Sequence, residues 1–165
     1  MRFAFFTLFC LFSVAACNES EKNEIYNENN TTVMNGVVYN IDEKPISGLY
    51  KTYYSNGNVK MEVYSQNGKP NGMGKFYNEK GSLLFEGSFS NGVRVGTLYH
   101  YYPNGKVHNE MHYTDGVLDG TQQTFDKKGE LRAEVIYKNG KAVQGYAVVN
   151  GEVAEFSEEE LAKFE

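Results

Sequence analysis

Glycines recur through this chain at a fixed spacing, and that spacing constrains the fold more than any other feature. Each of four copies carries glycines at its first, tenth and twenty-first positions, and the copies begin 24 residues apart, at Gly48, Gly72, Gly96 and Gly120. A period of this length is typical of arrays in which each repeat is one small supersecondary unit stacked on its neighbours. We therefore expect a repeat protein.

Other columns recur between these glycines: an aromatic residue five positions after the first glycine, an aliphatic residue at eleven and a glutamate at fourteen. The aromatic residues are Tyr53, Tyr77, Tyr101 and Phe125, and the glutamates are Glu62, Glu86, Glu110 and Glu134. Residues 48–71, 72–95, 96–119 and 120–144 carry these columns and resemble the MORN repeat, more closely the bacterial variant found in YwqK-type antitoxins. The resemblance implies an architecture far more strongly than an activity, because such repeats occur in proteins of many functions.

Each repeat is expected to form a β-hairpin. The glycines of its first turn, Gly57, Gly81, Gly105 and Gly129, follow asparagine in two copies and lysine in the other two. A three-residue loop, in which a type I turn closes on a left-handed glycine, accepts all four copies. Counting outward from that loop pairs each column-five aromatic with a column-eleven aliphatic residue. Continued alternation predicts that one face carries the aromatic residues and the opposite face carries the glutamates.

An Asn-Gly or Asp-Gly dipeptide near the end of each repeat predicts a second tight turn that leads into the next hairpin. The predicted fold is therefore all-β, an elongated single-layer antiparallel meander that occupies residues 33–165 as one domain. Residues 33–47 form a half repeat. Residues 145–165 form a C-terminal cap, in which a capping box at Ser157 begins a short helix.

The first residues indicate where the protein works. Residues 1–16 place Arg2 before an apolar run that is too short to span a bilayer, which is typical of a signal peptide. The segment from Val14 to Cys17 resembles the lipobox of bacterial lipoproteins, which implies that Cys17 is acylated and anchors the mature chain to a membrane. Residues 17–32 are acidic and poor in large apolar side chains, so they predict a disordered tether. Acidic residues after the cysteine resemble surface-export signals, and we expect the cell envelope of a Gram-negative bacterium, at the outer membrane or surface rather than the inner membrane.

Charge and cysteine content exclude several functions. Removal of residues 1–16 takes away Arg2 and no acid, so the formal charge moves from −5 to −6. Lysines and arginines are scattered, which argues against a nucleic acid as partner. Cys10 is removed with the signal peptide and Cys17 is blocked, so no disulfide is expected. The chain contains nothing that resembles a catalytic triad or a phosphate-binding loop, and we expect neither a catalytic site nor a cofactor.

The glutamate column and the histidines are the candidates for chemistry. Equivalent glutamates would lie two strands apart, roughly 9.6 Å at about 4.8 Å per strand, near the roughly 6.5 to 9.5 Å between the carboxyl groups of inverting glycosidases. Such enzymes need two carboxyl groups in different environments, whereas a repeat gives its glutamates similar ones. In the predicted register His100 lies opposite His108, with Glu110 two residues along, which would form at best a weak metal site. An exposed histidine pair is the simpler interpretation, and no metal is expected.

The aromatic face is the predicted binding surface. Its candidate residues are Tyr53, Tyr77, Tyr99, Tyr101 and Phe125. Extended surfaces of repeat arrays usually bind partners, so the leading hypothesis is a lipid-anchored envelope protein that acts as an interaction or scaffold module for an unknown protein or peptide. An antitoxin or immunity protein, as the family resemblance implies, is one alternative, and a protein that binds or acts on cell-wall glycan is another. The oligomeric state is left open.

Overall fold

The computed structural model describes residues 25–164. The predicted signal peptide, Cys17 and residues 17–24 of the predicted tether therefore lie outside the described residues. The strands are β1 Ile25–Asn27, β2 Thr31–Met34, β3 Val37–Asn40, β4 Gly48–Tyr53, β5 Val59–Gln66, β6 Lys69–Tyr77, β7 Leu83–Ser90, β8 Val93–Tyr101, β9 Val107–Thr114, β10 Val117–Phe125, β11 Leu131–Lys138, β12 Lys141–Val149 and β13 Glu152–Glu155. Helix α1, Glu158–Leu161, and a 3₁₀ turn, Ala162–Phe164, follow them.

One long sheet contains eleven of these strands in the order β1-β4-β5-β6-β7-β8-β9-β10-β11-β12-β13. Every neighbouring pair from β4 to β13 is consecutive in sequence and antiparallel. The predicted all-β meander with a short C-terminal helix is thus confirmed. In the part of the chain that the structure describes, no helix has the length and apolar character needed to cross a membrane.

The predicted tether is wrong for residues 25–32. Strand β1 pairs in parallel with β4 at the first edge of the sheet, with Tyr26 beside Tyr50. Tyr26 is only 9% exposed and belongs to a core cluster with Val38, Ile46 and Val63. Composition averaged over the segment did not reveal this, because an open sheet edge and one aromatic anchor are sufficient to order three residues.

The predicted half repeat forms a hairpin of its own. Strands β2 and β3 pair only with each other and make a separate two-stranded sheet. The hairpin contacts the second turn of the first repeat, because the N–H of Val38 donates to the carbonyl oxygen of Gly68 at 2.9 Å. Ile46, which follows the hairpin, is 1% exposed and donates its N–H to the Val38 carbonyl oxygen at 3.0 Å. The hairpin therefore covers the start of the array.

Both predicted turns are confirmed. In the first turn Gly57, Gly81, Gly105 and Gly129 all have φ between 80° and 87°, and the residues before them keep negative φ. The N–H of Tyr54 donates to the carbonyl oxygen of Asn58 at 2.8 Å, which closes a three-residue loop. In the second turn both residues have positive φ, for example Asn91 at 50° and Gly92 at 87°, as a type I′ turn requires.

The register beyond the first turn differs from the prediction. Tyr53 pairs with Val59 as expected, but the next pair is Thr52 with Met61, so Lys60 is an extra residue on β5. The same bulge recurs in the other three repeats. A shift of one residue moves all later side chains of a strand to the other face. The glutamates therefore lie on the same face as the column-five aromatic residues, and the predicted division into an aromatic face and a glutamate face is wrong.

The core lies on the opposite face, where large side chains lie flat across glycines. A Cβ atom on Gly74 would lie 2.9 Å from the Phe89 ring, and one on Gly87 would lie 3.2 Å from the side chain of Leu98. Leu98 is 5% exposed. The residues buried on this face are Tyr50, Val63, Ser65, Leu98, Met111, Val135 and Tyr137. A single sheet layer can thus exclude water because its own aromatic and aliphatic groups cover the glycine backbone.

The C-terminal cap covers the last part of the sheet. The N–H of Phe156 donates to the Gly145 carbonyl oxygen at 2.9 Å, and its ring lies 5.4 Å from the ring of Phe164. The predicted capping box is present, because Ser157 accepts from the N–H of Glu160 and the Glu160 side chain accepts from the N–H of Ser157. The backbone N–H and the hydroxyl of Ser157 both donate to the Glu160 carboxylate, and these two bonds lower the pKa of Glu160 from its ordinary value.

Candidate functional site

The face opposite the core carries a continuous row of glutamates and their cross-strand neighbours. Successive strand pairs place the members of this glutamate row side by side. In order across the sheet they are Lys51, Glu62, Lys75, Glu86, Tyr99, Glu110, Gln123, Glu134 and Tyr146. Next to it, on the same face, lies the column-five row of Tyr53, Tyr77, Tyr101 and Phe125. We call the two rows together the tyrosine–glutamate face.

Tyrosines of one repeat hydrogen-bond to glutamates of the repeat before. The Tyr77 hydroxyl donates to Glu62 Oε1 at 2.7 Å, and the Tyr101 hydroxyl donates to Glu86 Oε1 at 2.7 Å. The bond from Tyr77 is the main reason that the pKa of Glu62 is below its ordinary value, and Lys51 lowers it further. Burial, followed by the bond to Glu62, raises the pKa of Tyr77 to about 12. Burial and Glu86 raise the pKa of Tyr101 in the same way.

Lysines neutralise only the first two glutamates. Lys51 Nζ lies 3.0 Å from Glu62 Oε2, and Lys75 Nζ lies 3.8 Å from Glu86 Oε2. In the next two repeats the lysine is replaced by Tyr99 and by a glutamine. Charge along the row is therefore balanced in its first half and negative in its second half.

The two glutamates of the second half differ from each other. Gln123 Nε2 donates to Glu134 Oε2 at 2.7 Å, so Glu134 has a hydrogen-bond partner. Glu110 faces Tyr99 on one side and Gln123 on the other, and the residue equivalent to the donating tyrosines is Phe125. Among residues 25–164, the sole polar contact of Glu110 is His112, whose Nε2 lies 3.9 Å from Glu110 Oε1.

Clefts open beside the glutamates between successive repeats. The cleft at Glu62 measures about 250 Å³ and is lined by Asn58, Val59, Tyr77 and Gly81. The equivalent cleft at Glu110 measures about 460 Å³. Its lining residues are Gly105, Lys106, Val107, Glu110, Phe125 and Gly129. The larger of these two equivalent spaces thus lies next to Glu110, which has neither a tyrosine or lysine partner nor the glutamine partner that Glu134 has.

The five predicted partner-binding residues do share one face. Tyr99 and Tyr101 have ring centroids 6.4 Å apart. Tyr99 was predicted to lie on a purely apolar face, but it is directly opposite Glu110. Substitution of an aromatic residue and substitution of a glutamate therefore perturb the same surface. Comparing their effects on partner binding cannot show which face of the sheet binds.

The predicted histidine arrangement is wrong. His100 pairs with Asn109, because His108 is the extra residue of the bulge. The His100 ring lies 5.4 Å from the ring of Phe85 on the core face, and burial lowers its pKa. Glu110 lies on the other face. No group of three potential metal ligands from histidine, cysteine, aspartate and glutamate occurs within residues 25–164.

Sequence reasoning missed a second set of tyrosines that join successive repeats. The Tyr54 hydroxyl donates to the Tyr77 carbonyl oxygen at 2.8 Å, and the Tyr102 hydroxyl donates to the Phe125 carbonyl oxygen at 2.9 Å. The equivalent positions in the second and fourth repeats are Asn78 and Asp126, which instead accept N–H bonds within their own turns. Tyrosine alternates with asparagine or aspartate at this position of the repeat, and this alternation could have indicated from the sequence that the position has a structural role.

This architecture defines a β-hairpin repeat protein. A family model described as MORN repeat variant matches residues 46–67, 94–115 and 118–139. The chain is therefore similar to MORN-variant repeats over these three segments. Residues 70–91 lie between the matched segments with the same spacing, and their strands have the same register and bulge. No curated protein matches the chain.

Proposed function

We propose that the chain is a scaffold module that binds another protein through its tyrosine–glutamate face. The observation that carries this proposal is the contrast between the two faces. The core face buries its aromatic side chains against its own glycines, whereas the tyrosine–glutamate face keeps apolar side chains exposed, including Tyr64 at 51% and Met73 at 45%. Exposed aromatic and apolar groups beside carboxylates are typical of interaction surfaces.

Binding rather than catalysis is the role that we propose. Glu62 and Glu86 already accept hydrogen bonds from tyrosines. The cleft at Glu110 contains no second carboxylate among its described lining residues. Hydrolysis of a glycosidic bond by the usual mechanism needs two carboxyl groups on either side of the scissile bond. The glutamate row is better suited to recognising a basic partner.

Attachment to the cell envelope through an acylated Cys17 is a further part of the proposal, and it is supported by the sequence alone. Cells that express the protein would be labelled with a palmitate analogue. The wild type should be labelled and Cys17→Ser should not. Equal labelling of both proteins would contradict the anchor and would leave the binding proposal unaffected.

Site-specific photo-crosslinking tests the binding surface. A benzoylphenylalanine would replace Tyr64 or Tyr99 on the tyrosine–glutamate face, and Thr52 on the core face would serve as the matched control. We expect both positions on the tyrosine–glutamate face to crosslink to one protein in the cells that produce the chain, and the control to give no product. Crosslinks from Thr52 alone would overturn the proposal. The identity of the crosslinked protein distinguishes a toxin from any other partner.

A further inference from the structure

Two glutamates of the row have both a tyrosine and a lysine partner, and a third glutamate lacks both. Glu62 and Glu86 each accept a tyrosine hydroxyl at 2.7 Å and each lie within 4 Å of a lysine Nζ. Glu110 has the same place in its repeat, yet its lysine is replaced by Tyr99 and its tyrosine by Phe125. Repeats of one chain are an internal comparison, because the backbone around the three glutamates has the same register.

Two other polar side chains lie near Glu110 and bond elsewhere. Lys106 lines the cleft, and its Nζ donates to the Lys128 carbonyl oxygen at 2.5 Å rather than to Glu110. His112 Nδ1 lies 2.9 Å from the Thr121 carbonyl oxygen, so in the neutral ring this nitrogen carries the proton. The Nε2 atom that faces Glu110 then has no proton to donate. Glu110, whose side chain is 27% exposed, is thus an acceptor beside a cleft of about 460 Å³.

We propose that this cleft binds the side chain of a lysine from the partner protein. The ammonium group takes the place beside Glu110 that the Tyr77 hydroxyl has beside Glu62, because Tyr77 lines the equivalent cleft and Lys51 does not. The methylene chain of the lysine lies along Phe125 and Val107, which line the cleft. This inference names the partner's chemistry at the proposed binding face and rests on that proposed function.

The charge of the chain agrees with this assignment. Acidic residues outnumber basic ones by five, and the second half of the glutamate row contains no lysine or arginine. A negative surface attracts a basic partner over a distance of about 8 to 10 Å at physiological salt. The partner's lysine would supply beside Glu110 the positive charge that Lys51 and Lys75 supply beside Glu62 and Glu86.

NMR titration tests the site without the partner. The probe is Nα-acetyl-lysine methylamide, and the matched control is the same compound acetylated at Nε, which has the same stem without the charge. Carboxyl carbon shifts of the glutamates would be followed at constant ionic strength and constant pH. We expect saturable shifts at Glu110 with the charged probe alone, and no comparable change at Glu62 or Glu86.

Two double variants test whether the missing lysine and tyrosine partners are the reason that Glu110 responds to the probe. Tyr99→Lys with Phe125→Tyr gives Glu110 the partners that Glu86 has, so the response at Glu110 should be lost. Lys75→Tyr with Tyr101→Phe removes the partners of Glu86, so a new response should appear there. Both variants use residues that neighbouring repeats already contain, and their amide spectra report whether they fold.

Equal responses at Glu86 and Glu110 in the wild type, or no response at Glu110, would overturn the lysine site. Retention of the response in Tyr99→Lys with Phe125→Tyr would overturn it as well. The crosslinking experiment tests the proposed binding function independently. If Glu110 shows no NMR shift but Tyr99 still crosslinks to a protein, the lysine site alone is refuted. If Glu110 shifts but no position on the tyrosine–glutamate face crosslinks, the proposed protein partner is refuted.

Discussion

The variant Tyr77→Phe measures how much the hydrogen bond from the Tyr77 hydroxyl to Glu62 contributes to the free energy of unfolding. Phenylalanine already stands at the equivalent position, Phe125, so Tyr77→Phe should leave the backbone unchanged. Hydrogen bonds to charged groups contribute roughly 1.5 to 3 kcal/mol. The Glu62 side chain is 24% exposed and keeps Lys51 at 3.0 Å, so water and the lysine replace part of the bond. We expect the free energy of unfolding to fall by about 1 kcal/mol near neutral pH.

The same variant should change the pH dependence of stability. Glu62 has a pKa below its ordinary value of 4.5, mainly because of Tyr77. A carboxyl group with a lowered pKa in the folded state stabilises the fold above its unfolded pKa, and this stabilisation is lost as the pH falls through the folded value. The difference between wild type and Tyr77→Phe should therefore shrink below about pH 4. In an NMR titration the midpoint of Glu62 should rise in the variant.

Phe125→Tyr is the reciprocal experiment, because it places a hydroxyl group beside Glu110, where Tyr77 has its hydroxyl group beside Glu62. Urea unfolding should show a gain of about 1 kcal/mol from the new hydrogen bond. Two results would refute the reasoning: a loss from Tyr77→Phe that is as large near pH 3 as near pH 7, or a Glu62 titration that does not move. Either would mean that the hydroxyl and the carboxylate are not bonded in solution.

Two further predictions concern the turns. Gly68 and Gly92 occupy the same turn position with φ of 76° and 87°, but a Cβ on Gly68 would lie 2.6 Å from the Val38 carbonyl oxygen, whereas no described atom lies within 4 Å of one on Gly92. Gly92→Ala should cost about 1 kcal/mol from strain and Gly68→Ala about 1 to 3 kcal/mol more, so equal costs in urea unfolding would refute the docking of the first hairpin. Hydrogen bonds from Arg132 lower the pKa of Asp126 to about 2, so the stabilisation by Asp126 should persist above about pH 4 and vanish as the pH falls to about 2. NMR titration should show the Asp126 midpoint rising in Arg132→Met, and an unchanged midpoint would contradict the ion pair.

Local chemistry made much of the fold predictable. Asn91 and Gly92 specify a turn by their own tolerance of positive φ, and the pairing of Tyr53 with Val59 follows directly from the three-residue loop. Strand β1 with its buried Tyr26 was not predictable from composition, because its order depends on an edge that exists only after β4 has folded.

The site was less predictable than the fold because each repeat has one extra residue, a β-bulge, just after its first turn. The bulge residues are Lys60, Leu84, His108 and Arg132, which share no chemistry that would mark a bulge. Every inference carried past that point along the strand, including the histidine pair and the face of the glutamates, was therefore shifted by one position. Opposite charge was the signal that could have corrected the register, since Lys51 and Lys75 lie opposite glutamates only if the bulge is present.

Departures from the repeat pattern identify positions whose residues the fold alone does not explain. A hairpin array is stable when each repeat satisfies the groups of the next, as Tyr77 and Tyr101 do for the glutamates before them. At Glu110 both stabilising partners are replaced at once, while the turns and the register around it are unchanged. Loss of local satisfaction in an otherwise consistent fold is the pattern expected of a functional site. We infer that the third repeat lacks these internal bonds at Glu110 because this glutamate binds the cation of the proposed partner.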